Sequence, residues 1–206
     1  MEPEQRPYHI QAIYDLQAGN TSAKFRTEID ECRKVIAQLV ADDNSSDQQI
    51  ARVNILRYLD LQLSRATAWA DSEADLLAVV LRSEIELGGW AEFVSERPEQ
   101  ATRFLNEQVV IDARELDQYM RKAFPNAAFA ALPSVTTARR FDPPRIGEAV
   151  DYDFKLCSKL IHPSALMINH PELTIRSDDH KAHLRIEVLL YAWVIVTRFH
   201  DLNWLP

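Results

Sequence analysis

The stretch Ser22–Ala41, SAKFRTEIDECRKVIAQLVA, decides the fold. Its apolar residues Phe25, Ile29, Cys32, Val35, Ile36, Leu39 and Val40 recur every three or four positions. A turn of 100° per residue gathers them on one arc. A strand would need alternation, and none of useful length runs anywhere in the chain. Upstream, a short helix is predicted from Pro7 to about Leu16, with Ile10, Ile13 and Tyr14 inward. Downstream, Ser46 with Gln49 three residues later reads as a capping box opening a third helix through Ile50, Val53, Leu56, Leu59 and Leu63. Asp71-Ser72 is the next junction, and a fourth helix carries Leu76, Leu77, Val80, Leu81, Ile85 and Phe93.

A fifth helix is expected from Pro98, which suits a first turn, through Phe104, Leu105, Val109, Leu116, Tyr119 and Met120 to Pro125. Residues 125–147 hold four prolines and read as one irregular, Pro-rich segment. A sixth helix follows from about Glu148 to His162, ended by Pro163. A seventh runs from Ser177 to about His200. The fold class is therefore all-α, a bundle of six or seven helices with mostly antiparallel neighbours. Residues 1–206 form a single helical domain, with 1–20 as an N-terminal appendage.

Composition narrows the function classes. Four glycines in 206 residues leave neither GxGxxG nor GxxxxGK[ST], so the phosphate loops of nucleotide enzymes are absent. A formal charge of −8 gives no global field that would attract nucleic acid. Arg139, Arg140 and Arg145 are the only basic cluster and read as solvated loop charges. Cys32 and Cys157 lie on apolar helix positions and read as buried free thiols, which points to a cytoplasmic setting. Two cysteines exclude a zinc-thiolate centre. The charged, Pro-containing start does not read as a signal peptide. The longest apolar run, Val188–Val196, is half of what a membrane span needs, so no membrane association is expected.

Chemistry is sought near the C-terminal end, where five of the six histidines lie between His162 and His200. On the sixth helix Val150, Phe154 and Cys157 face the core. Lys155, Ser158 and His162 share the opposite side, with Lys155 and His162 about 20° apart. An imidazole that moves a proton beside an ammonium that offsets phosphate charge suits a phosphodiester. On the fourth helix Arg82 and Glu86 are i,i+4 partners, while Glu84 falls inside the apolar arc and needs a partner or a proton. On the seventh, His180, His183, Glu187, Tyr191 and Arg198 form a polar stripe. His180, His183 and Glu187 have a spacing that offers three metal ligands from one helix, although the remainder of a ferritin-like set is missing. Arg198 reaching Glu84 or Glu86 is the alternative use of that stripe.

The run Lys155-Leu-Cys-Ser-Lys-Leu-Ile-His162 resembles the HEPN-domain signature, an Arg followed four to six residues later by His near the end of a helix in an all-α bundle. Lys155 stands where that signature has Arg, and Lys lacks the planar bidentate contact to phosphate. Arg82-Ser83-Glu84-Ile85-Glu86 with the later Ser158-Lys159-Leu160-Ile161-His162-Pro163-Ser164 is also similar to a related bacterial helical family of uncharacterised function. That family pairs Arg-Ser-x-x-Glu with Ser-x-x-x-His-Pro-Ser. The resemblance implies a homodimer and metal-independent RNA cleavage without a cofactor, in a toxin or phage-defence setting. It makes His162 the general acid/base, Lys155 the phosphate partner, and Arg82 with Glu86 supporting residues. Two other readings stay open: a non-catalytic scaffold for a protein partner, and a metal-binding helical oxidase on His180, His183 and Glu187.

Overall fold

The computed structural model describes residues 8–41, 46–72, 74–124, 150, 153–155, 157–158 and 178–199, with backbone alone at 8–10, 74–75 and 178–180. Among them the protein is all-α. The helices are α1 (Tyr8–Ala18), α2 (Ser22–Ala41), α3 (Asp47–Trp69), α4 (Ala74–Glu96), a 3-10 turn (Pro98–Gln100), α5 (Ala101–Leu105), α6 (Ala113–Ala123) and α7 (Asp178–Phe199). Val150 and residues 153–155 and 157–158 are also helical. The segment 125–147 and most of the predicted sixth helix lie outside the described residues.

The centre of the bundle is α4 against α7. α4 also meets α3 and α6, and α7 also meets α1, α2 and α3. α7 earns this place by composition: Leu184 and every residue from Ile186 to Val196 are buried. The predicted arc of α2 is inward at Phe25, Ile29, Cys32 and Ile36, with Val35, Leu39 and Val40 partly buried against it. Ser46 caps α3, its Oγ accepting from the Gln49 N–H at 3.3 Å. At the other end of α3, the Arg185 guanidinium donates to the Ala70 carbonyl through Nε (3.1 Å) and Nη2 (2.8 Å). A cation at a helix C-terminus satisfies orphan carbonyls and complements the dipole.

Three expectations change. The N-terminal helix is no appendage: Ala12, Ile13 and Leu16 are buried in the common core against α2 and α7. Ile50 is exposed on the first turn of α3. The single helix predicted from Pro98 to Pro125 is two. α5 stops at Asn106, Glu107 takes a positive φ of 57°, and Asp112 caps α6 through its Oδ1 at 2.8 Å from both the Arg114 and Glu115 N–H groups. A local cap and a turn supply the backbone bonds that helix propagation would otherwise give.

α6 returns to α4 at the paired glycines. A Cβ on Gly88 would stand 2.1 Å from the Phe124 ring, and one on Gly89 2.8 Å from Met120 Cγ. Their bare backbone admits α6 and builds an edge-to-face series, Trp90–Phe93 (5.7 Å) and Phe93–Tyr119 (5.5 Å between centroids).

Candidate functional site

The helical residues from Asp153 to Ser158 carry two faces, and each meets a different part of the bundle. Inward, Asp153 and Cys157 are fully buried, one helical turn apart. The Tyr191 hydroxyl on α7 donates to Asp153 Oδ2 at 2.8 Å. Asp153 Oδ1 lies 4.0 Å from His183 Nε2, and Glu187 Oε1 lies 3.7 Å from His183 Nδ1. One donor atom from each of Asp153, His183 and Glu187 falls within 4.8 Å of the others. The polar stripe expected on α7 therefore exists, at His183, Glu187 and Tyr191, and it points at a buried acid of another segment.

Glu84 sits in the same interior, with no exposed surface and no hydrogen-bond partner on either carboxyl oxygen. Burial pushes its carboxyl well above the ordinary glutamate value. The Cys157 thiol is also pushed up, first by burial, then by the charges of Asp153 and Glu187. Arg82 opposes that shift and Glu84 adds to it. Three carboxyl groups and one guanidinium thus lie within electrostatic reach of a single sulfur.

Outward, the Arg82 guanidinium covers the Phe154 ring at 4.9 Å and its Nε donates to Glu86 Oε1 at 3.3 Å. Lys155 is exposed and Ser158 is half-buried, its hydroxyl donating to the Phe154 carbonyl at 2.8 Å. That bond leaves Ser158 a helix-facing role. The hollow at Lys155 is about 110 Å³, bounded by Asp117, Met120, Arg121, Val150 and Phe154. A groove of about 370 Å³ runs between Tyr58, Leu87, Trp90 and Phe104, with Asn54, Ser83 and Glu86 also lining it. A larger concavity, about 1010 Å³ and lined in part by Asp30, Arg33, Arg57 and Asp60, shares no residue with either face.

The residues singled out from the sequence divide as follows. Arg82, paired with Glu86, is brought against Phe154, the chain neighbour of Lys155 and the hydrogen-bond acceptor of Ser158, and Glu84, His183 and Glu187 are brought to the interior. Arg198 is not part of either group. It pairs with Glu92 at 3.4 Å and donates to the carbonyls of Lys122 and Ala123 at 2.7 and 3.3 Å. The expected reach to Glu84 or Glu86 is wrong because Arg198 lies three turns beyond Glu187, near the end of α6. His162 and the His180 side chain lie outside the described residues. Asp153 was missed, although its sequence signal is the one that exposes Glu84: it is an acid on an apolar arc, three residues from Val150 and four from Cys157.

No family model, curated protein or solved structure matches the chain. Among the described residues no helix is long and apolar enough to cross a membrane.

Proposed function

We propose a HEPN-like helical protein that acts at RNA phosphodiesters, with its site on the outward face of the segment from Phe154 to His162 and two copies completing the cleft. One observation carries the reading. Arg82 and Glu86 on α4 stand 70 residues away in sequence from Phe154 and Ser158, yet Arg82 is stacked on Phe154 and ion-paired to Glu86. The Arg-Ser-x-x-Glu helix is thereby packed against Phe154, the residue before Lys155.

The chemistry that fits is transesterification. His162 takes the proton of a ribose 2′-hydroxyl, the 2′-oxygen attacks phosphorus, and the 5′-oxygen leaves as a hydroxyl with the proton returned by the His162 imidazolium, giving a 2′,3′-cyclic phosphate. Lys155 supplies a mobile positive charge. Arg82 supplies the planar guanidinium that Lys155 lacks, held in place by Glu86 and the Phe154 ring. The adjoining groove, with Tyr58, Trp90 and Phe104, offers π faces on which a base can stack.

A second reading has its own support: the same groove, flanked by the exposed Tyr58 and Leu61, suits an apolar side chain of a protein partner in a non-catalytic scaffold. The two separate on labelled single-stranded RNA in EDTA. The nuclease reading expects cleavage ending in cyclic phosphate, lowered about 10²–10⁴-fold by His162→Ala and raised by Lys155→Arg. Neither cleavage nor retention of RNA by the wild type and Lys155→Arg would end it in favour of the scaffold.

A further inference from the structure

We infer that the buried group formed by Asp153, His183 and Glu187 is a site for one divalent transition-metal ion, which ties the segment from Asp153 to Ser158 to α7. The inference stands apart from the nuclease reading, which needs no metal.

The donor set is the first argument. Two carboxylates and one imidazole come together from two separate segments: Asp153 lies 4.0 Å from His183 Nε2, Glu187 lies 3.7 Å from His183 Nδ1, and one donor atom from each of the three falls within 4.8 Å of the others. An ion bonded at about 2.1 Å to nitrogen and oxygen holds its ligands roughly 3.0–3.5 Å apart. Closing from 4.8 Å on an ion bound through one ring nitrogen therefore asks each side chain for a shift of up to about 1 Å. The Tyr191 hydroxyl donates to Asp153 Oδ2, and Oδ1 is the oxygen on the His183 side. Hydrogen bonds to the non-ligating oxygen are how proteins fix ligand carboxylates.

Glu84 is the independent sign. It is a wholly buried carboxyl with neither oxygen hydrogen-bonded among the described residues, on the helix most closely packed with α7, and its charge acts on the same Cys157 thiol as those of Asp153 and Glu187. Burying several acids is costly, and a divalent cation offsets that cost. Imidazole with carboxylates selects Mn²⁺, Fe²⁺ or Zn²⁺ over Mg²⁺ and Ca²⁺, which favour oxygen-only shells. The His180 side chain lies outside the described residues, and Asp153 joins His183 and Glu187 from another segment.

The test uses the full chain, stripped with chelator and titrated separately with Mn²⁺, Zn²⁺, anaerobic Fe²⁺ and Mg²⁺ by calorimetry. We expect one tight equivalent of a transition ion per chain, weak Mg²⁺ binding, and a rise in melting midpoint of about 5–10 °C at a hundredfold excess over Kd. Glu187→Gln and His183→Gln should each weaken uptake by at least about 100-fold (a ligand outweighs the 10–100-fold of an outer partner). If those variants do not fold, the Co²⁺ derivative of the wild type decides instead, through paramagnetically shifted imidazole proton resonances. No stoichiometric uptake by the wild type, equal uptake by folded variants, or a Co²⁺ spectrum without imidazole signals would each overturn the site.

Discussion

Glu84 and Glu86 are two residues apart on α4 and live in opposite worlds. Glu86 keeps 41% of its side chain exposed and shares a charge with Arg82, whereas Glu84 has no exposed surface and no hydrogen-bond donor. Two residues on a helix are 200° of rotation, enough to carry one carboxylate to the rim of a candidate surface site and the other into the core. The same division splits the residues from Asp153 to Ser158, with Asp153 and Cys157 inward and Lys155 outward. Chemistry at this end of the molecule is thus arranged in two layers, a surface layer for a polyanion or a partner and a buried layer of acids.

The sharpest way to break that contrast is at the buried layer. Tyr191→Phe removes the hydroxyl that serves Asp153 and leaves a buried carboxylate short of a donor. It should cost about 2–3 kcal/mol, read as a lower urea midpoint with an unchanged m-value. Gly88→Ala, on the side of α4 that faces α6, puts a methyl group into the Phe124 ring. A loss of about 2 kcal/mol is expected, visible in thermal unfolding.

Glu84→Met should move stability the other way. In metal-free protein near pH 7 it removes an unsatisfied buried acid, and a gain of about 1–2 kcal/mol is expected. A loss would show that the carboxyl is serving a partner. The pH dependence follows from the raised folded-state value of this group. The folded carboxyl holds its proton where the unfolded one has already lost it, so its contribution is fully present below the ordinary value near 4.5 and is lost as pH rises through the folded value. Glu84→Gln should flatten that slope, and an unchanged slope would place the titration elsewhere. Smallest of all, Glu86→Gln should change stability by no more than about 0.5 kcal/mol, since the pair it breaks is half exposed. Denaturant titration at low and high salt checks it.

Much of this was legible in the sequence. The arc of α2, the Ser46 cap and the burial of Glu84 each follow from positions a few residues apart, where helical geometry alone fixes who is neighbour to whom. The break at 106–112 had a signal in Asn106 and Asp112, both residues that compete for backbone bonds, but the apolar pattern on either side ran through it. Arg198 shows the limit most clearly. Its stripe was right and its partner wrong, because a helix wheel gives direction and says nothing of which segment stands opposite at that height.

What the residue order settles by itself is local: which stretches coil, which side of each turns inward, and that Glu84 would be enclosed if the bundle formed. The meeting of Asp153 with His183 and Glu187, and of Arg82 with Phe154, belongs to the packing. Contacts between residues 30 or more positions apart depend on how helices stack and at what level they cross. Periodicity carries no term for that, and close packing of complementary surfaces does.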